Sequence, residues 1–334
     1  MKKVIPILLS LLILVGCTPQ AQETPQPAVP PPTPQQMQTE APATLNIVAT
    51  SYPVYMLTKE LTRGTEHTVT LLVKDSVSCL HDYTLTTNDM KLLESADILV
   101  MNGAGLEGFM SSAIAAVGEK LAVIDCTGNM DFSVLGLGVD DDHEGDHDHT
   151  HDHEDDHEHD HNHSHDYLFD PHIWLNMDLF KLAGETVSTT LSALDEANAA
   201  QYKENLAAVT IEILTVDAEM VRMGKKGGEI ITFHDGFFWL ASRYNLTILR
   251  SIEEEAGSEA SAKDIEEIIT LIREHELDAV YVERFGSTAT AEAIARETGV
   301  EVRTLDMCMS GEENESFGDY LERIKQNLAV IQGT

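Results

Sequence analysis

Basic side chains are scarce in this chain: 21 Lys and Arg stand against 57 Asp and Glu in 334 residues, a formal net charge of −36 at pH 7. Polyanions are repelled by such a surface, which excludes nucleic acid and an anionic bilayer surface as binding targets, while cations are drawn to it. Cysteine is rare as well, with four residues in all: Cys17, Cys79, Cys126 and Cys308. Beyond Cys17 the number is odd, so complete pairing in an oxidising compartment is impossible. Proline almost disappears after Thr44, since eight of the eleven fall between Thr18 and Thr44. Long apolar runs are missing too; the stretch from Val4 to Val15 is too short to span a bilayer comfortably. Absent also are a Gly-x-Ser-x-Gly nucleophile elbow and an H-x-H-x-D-H string, which argues against a hydrolase.

What is present begins with an export signal. Lys2 and Lys3 precede the apolar stretch, the layout of a secretory signal over residues 1–16. It ends in Leu14-Val15-Gly16-Cys17, which resembles the lipobox of bacterial lipoproteins and implies lipidation of Cys17. Residues 17–44 are then a Pro-rich tether, extended at about 3 Å per residue, holding a body away from the membrane.

Between Asp140 and Asp166 lie ten histidines and thirteen acidic residues, with no lysine, arginine or apolar side chain. Nothing there can offset the entropy of ordering, so a solvated, disordered loop is expected. Its histidines, His143, His147, His149, His151, His153, His157, His159, His161, His163 and His165, offer dense imidazole for zinc, copper or nickel. A charge run serving solubility needs only Asp and Glu, so the composition points to metal collection at several weak sites. H-E-x-x-H occurs three times in the run, but no apolar helix face supports it, and His alternating with acid generates the string by chance.

The body alternates strand and helix patterns. Apolar runs at Leu45–Ala49, Thr68–Val73, Asp97–Met101 and Leu121–Ile124 read as strands, with helices through Leu61 and at Asn88–Ser95. After the His-rich run, Met177–Leu194 and Asp195 to about Met223 read as helices, and Gly224–Gly228 stops the second. Strands at Glu229–Thr232, Thr247–Ser251, Ala279–Val282 and Glu301–Leu305 then alternate with helices at Phe237–Tyr244, Ala262–His275, Thr288–Thr298 and Phe317–Ile331. The fold class is α/β: two lobes, each a mostly parallel sheet flanked by helices, joined by one long rigid helix. The expected division is an N-terminal lobe over 45–194, a linking helix over 195–224 and a C-terminal lobe over 225–334. Ligands of open α/β sheets sit beyond the carboxyl ends of the strands. There stand His81, His172, His234, Glu283 and Asp306, and three imidazoles with a carboxylate can make a tetrahedral zinc site. His67 and His275 neighbour polar turns and read as surface residues.

Leu80-His81-Asp82-Tyr83, Asp170-Pro171-His172-Ile173-Trp174-Leu175, Thr232-Phe233-His234-Asp235 and Asn102-Gly103-Ala104-Gly105-Leu106-Glu107 together resemble the solute-binding proteins of ABC importers for zinc and manganese. The resemblance covers nearly all of the body. It implies a non-enzymatic, extracytoplasmic, lipid-anchored receptor, expected to be a monomer, that carries Zn2+ between two lobes to an ABC permease. By position it implies His81, His172 and His234 as ligands and Asp306 as the fourth, with Glu283 or a water in reserve. Leu80 stands where some zinc-specific relatives have a carboxylate. Cys79 and Cys308 each lie two residues from an implied ligand, so if the lobes bring His81 and Asp306 together a disulfide between the two cysteines is expected, the alternative being thiolate ligands and a softer site. A third histidine, where manganese members tend to have a carboxylate, favours Zn2+ over Mn2+. The readings set against this one are a surface zinc store or adhesin built on the loop, and an exported zinc hydrolase.

Overall fold

In the computed structural model the described residues are 44–74, 80, 83–132, 170–253, 260–312 and 314–333. The first sheet is assembled from β1 (Asn46–Ala49), β2 (Thr68–Leu71), β3 (Ile98–Met101) and β4 (Ala122–Asp125), all parallel, in the order β2-β1-β3-β4. Their crossovers are α1 (Tyr52–Leu61), α2 (Thr87–Ser95) and α3 (Ser111–Val117). The short apolar runs that identify these strands are buried along most of their length in β1 and β3, as expected of parallel strands covered on both faces.

The second sheet repeats the plan. It contains β5 (Gly228–His234), β6 (Leu246–Glu253), β7 (Ala279–Glu283) and β8 (Glu301–Leu305), again all parallel, in the order β6-β5-β7-β8. Here α6 (Phe238–Arg243), α7 (Ala262–Glu274) and α8 (Ala289–Thr298) make the connections, and α9 (Phe317–Gln332) closes the chain. Alternate residues of β5 and β7 go to opposite faces: Ile230 and Tyr281 join the main core, whereas Ile231, Phe233, Val280 and Val282 join a separate cluster with Ile268, Ile272 and Ile294 of α7 and α8.

Two helices bridge the sheets in sequence. α4 (Met177–Leu194) is capped by Asn176, whose side-chain oxygen accepts from the backbone N–H of Asp178 and Leu179. α5 (Ala199–Gly224) is 26 residues long, or about 39 Å at helical rise. It starts after a 3₁₀ turn at Glu196–Asn198, four residues later than the pattern suggested. Its buried stripe, Tyr202, Asn205, Val209, Ile213, Asp217, Met220 and Gly224, steps by three and four, so one face stays against the body throughout. Asn205 Nδ2 donates to the carbonyls of Leu61 and Arg63, both at 2.8 Å, closing the end of α1. At the far end, a Cβ on Gly224 would fall 2.4 Å from the Tyr244 carbonyl oxygen, so only glycine lets helix and lobe approach there.

Residues 42–334 form one compact unit, and the main core runs through both halves. Trp174, Tyr52, Tyr320 and Met307 all belong to that core. Tyr52 Oη donates to Glu315 Oε2 at 2.6 Å and lies 3.0 Å from the Glu312 carbonyl, tying α1 to the segment before α9. His67 departs from its expected surface position: its side chain is 1% exposed. Its Nδ1 accepts from the Leu45 N–H, and Nε2 lies 2.8 Å from Asp195 Oδ2 and 2.7 Å from Tyr202 Oη. Long-range polar partners bury it at the α4–α5 corner. His275 is exposed as expected and pairs with Glu229.

Candidate metal centre

In both sheets the order in which strands are added switches sides between the first and third strands, and that switch opens a crevice at the carboxyl ends of the parallel strands. His234 is the last residue of β5 and Glu283 the last of β7, so the two flank that point in the second sheet. Both are about 4% exposed. His172 arrives from the other direction, in the turn that precedes a 3₁₀ segment, Ile173–Leu175, and is 2% exposed. The His172 and His234 rings meet with centroids 5.4 Å apart and planes at 84°. Two imidazoles sharing one zinc at about 2.1 Å and a tetrahedral angle would have centroids about 5 Å apart, so this pair is close to the spacing that metal requires.

The turn is arranged to present His172. Asp170 Oδ1 accepts from the His172 backbone N–H at 2.8 Å and faces Nδ1 at 2.6 Å. A proton on Nδ1 answers the carboxylate and leaves Nε2 as the basic nitrogen, the arrangement by which an outer carboxylate orients a ligating histidine. Neighbours on both sides then fix the turn. Asn102 Nδ2 donates to the Pro171 carbonyl at 2.8 Å, Trp239 Nε1 of α6 to the Asp170 carbonyl at 2.6 Å, and Trp174 Nε1 to the Met307 carbonyl at 2.7 Å. The Trp174 indole lies edge-on to the His172 ring at 5.3 Å.

Asn102 is itself held by a buried carboxylate that the sequence offered only as part of a motif. Glu107 accepts from the Thr50 hydroxyl at 2.6 Å and the Asn102 N–H at 2.7 Å through Oε1, and from the Gly103 N–H at 3.1 Å through Oε2. Burial pushes its pKa up to about 7 from an ordinary 4.5, against the lowering effect of those donors. The turn it organises runs through three positive-φ residues, Gly103, Ala104 and Gly105. At Gly103 a Cβ would stand 1.9 Å from Asp125 Oδ1 and 2.3 Å from Thr127 Oγ1, so both the backbone angle and the space demand glycine. On the other side, a Cβ on Gly236 would lie 2.8 and 2.9 Å from the His234 ring and 2.7 Å from Met307 Cε. Glycine there gives the imidazole its room.

Among the described residues, no three His, Cys, Asp or Glu side chains converge into a metal-holding group. The structure brings His172 and His234 together. Asp306, just past the end of β8, instead turns its carboxylate to cations: Oδ2 accepts from Arg284 Nη1 at 2.9 Å and Arg323 Nη2 at 3.3 Å, and Oδ1 from the Cys308 N–H at 2.8 Å. His81, Cys79, Cys17 and the histidines from His143 to His165 lie outside the described residues. Cys126 and Cys308 are buried free thiols. Burial raises the pKa of each, which makes them inert as nucleophiles. Sequence reasoning gave Asp170 only as part of a motif and missed Trp239 and Gly236; their placing near His172 and His234 in the chain was the available signal.

Comparison with known proteins bears on family and fold. The model of the ZnuA family, described as zinc-uptake complex component A, periplasmic, matches residues 47–334. The high-affinity zinc uptake system protein ZnuA of Bacillus subtilis is 29% identical over 293 residues, 86% of either chain. The zinc-binding lipoprotein AdcA of Streptococcus pneumoniae is 27% identical over all of this chain, which spans 61% of that longer protein. Among solved structures, the Zn(II)-bound ZnuA-like domain of S. pneumoniae AdcA shares the fold with a TM-score of 0.66 at 23% identity, covering 87% of this chain and 99% of that one.

Proposed function

Since the chain belongs to the zinc-uptake component A family, whose members are solute-binding receptors and not enzymes, we propose that it captures Zn2+ outside the membrane and delivers it to an ABC permease. The observation that carries this reading is the buried His172–His234 pair, one ring from each side of the crevice, set at the spacing of two ligands on one ion. Nitrogen donors suit zinc better than manganese. Zinc is the cargo here. His172 Nε2, oriented through Asp170, and the imidazole of His234 supply two donors; His81 supplies a third and Asp306 a fourth, with Glu283 as the alternative carboxylate.

Binding pulls on both halves of the molecule at once, because the turn around His172 is pinned to the first half through Asn102 on the Pro171 carbonyl and to the second through Trp239 on the Asp170 carbonyl and Trp174 on the Met307 carbonyl. Loosening that turn when the permease docks would release the ion. Cys17 with its lipid, and the tether to residue 44, keep the receptor at the outer face of the membrane. The loop histidines from His143 to His165 raise zinc near the crevice; unchanged uptake at limiting zinc after their deletion would count against that role. The receptor reading is tested by His172→Ala and His234→Ala in competition with a chelator: each is expected to abolish tight zinc, and retention of tight zinc in both would overturn it.

A further inference from the structure

Asp306 sits in an unusual setting for a metal donor, with two guanidinium groups on a single oxygen. The two arginines are not equivalent. Arg323 is one-quarter exposed and anchored elsewhere: Nη1 donates to both carboxylate oxygens of Glu315 at 3.0 and 2.8 Å, and Nη2 to the Ser310 carbonyl at 2.7 Å. Arg284 is 53% exposed, and among the described residues its guanidinium makes one hydrogen bond, to Asp306, above the Phe285 ring at 5.3 Å. Arg323 is therefore fixed, and Arg284 can swing into water at the cost of one half-exposed ion pair, offset in part by regained side-chain freedom.

Asp306 is tied to the histidine pair through the chain: it directly precedes Met307, which packs at the His234 ring. Met307, the next residue, accepts the Trp174 indole N–H through its carbonyl and fills the space next to Gly236 and His234 with its methyl group. The carboxylate one position along the chain from that methionine is already held by an exposed, singly bonded arginine, so recruiting it to a cation between His172 and His234 requires that ion pair to open.

We propose that Arg284 is a built-in competitor for the Asp306 carboxylate, which zinc must displace to recruit that donor and which takes the carboxylate back on release. This rests on the zinc-receptor reading above. Arg284 is a positioning residue in this scheme: it does not touch the metal but sets how much of the binding energy is spent on freeing Asp306. A half-exposed pair is weak, and a guanidinium nearby also repels a divalent ion modestly through water, so the effect is a tuning by about fivefold to tenfold rather than a block.

The test uses the full chain, with zinc alone as the probe. Affinity is read by chelator competition, and release rate by stopped flow into excess chelator. Arg284→Gln is expected to bind about fivefold to tenfold tighter and to release zinc correspondingly more slowly. Arg284→Lys, which restores a charge, should return towards wild type. In an Asp306→Asn background, where only the weak repulsion through water is left to relieve, Arg284→Gln should change both quantities by much less. Unchanged or weaker binding by Arg284→Gln, or an equal gain in the Asp306→Asn background, overturns the competition. If His172→Ala in the otherwise native chain keeps tight zinc, the receptor reading falls first, independently of anything Arg284 does.

Discussion

A few residues do work out of proportion to their number because they meet two constraints at once. Gly236 leaves the His234 imidazole room that any Cβ would take, so Gly236→Ala should weaken zinc binding by about tenfold or more with little change in fold, read by chelator competition. Glu107 is buried among donors with its pKa raised, so the folded state holds a proton there that the unfolded chain has lost. Its contribution is fully present below about pH 4.5 and disappears as pH rises through about 7, a change on the order of 3 kcal/mol. Melting followed from pH 4.5 to 8 should show that decline, and Glu107→Gln should flatten it; an unaltered slope would contradict the assignment. At this scale sequence is least informative. His172 and His234 were legible because each follows an apolar run or a Pro-containing turn. His67 was misread because its partners, Asp195 and Tyr202, are more than 120 positions away. The arginine pair on Asp306 comes from 22 and 17 positions away, and no local pattern announces it.

Among elements, the strands were the most readable, because parallel strands covered on both sides reduce to short apolar runs between polar turns. All eight appear where those runs stand. Helix α3 was not foreseen: Ser111–Val117 is only seven residues of Ser, Ala, Ile and Val with one buried residue, too short and too weakly sided to show a period. The long helix α5 was foreseen from its uninterrupted pattern, but what fixes it to the second half was not. Asp217, on its buried face, accepts from Tyr244 Oη at 2.9 Å, Arg243 Nη2 at 2.7 Å and Arg243 Nε at 3.3 Å. Asp217→Ala strands a buried hydroxyl, while Arg243 keeps Asp178 at 3.1 Å. The expected loss is therefore about 2–3 kcal/mol, below that for severing a fully buried pair, measurable by denaturant unfolding. Asp217→Asn, which can still accept from Tyr244, should lose less.

For the whole molecule, two sheets have the same strand order, His234 and Glu283 end two strands at the switch point of the second, and a core shared between the halves makes the described residues respond as one body. A ligand that grips both sides of such a body stabilises it as a unit, by about 2.7 kcal/mol when present at 100 times its dissociation constant. Zinc should accordingly raise the melting temperature of the native chain and leave that of His172→Ala unmoved. The fold and the order of its motifs were legible in the sequence; the depth at which the halves interlock, through Trp174 to Met307 and Tyr52 to Glu315, was not, since these contacts join positions more than a hundred residues apart.

The most direct test of the central claim is a count of tightly bound zinc on the chain lacking His143 to His165, by elemental analysis after dialysis against a competing chelator. One zinc per chain, lost on His172→Ala, is the result that follows from a receptor centred on His172 and His234. Tight zinc that leaves with the loop, or survives His172→Ala, would contradict it.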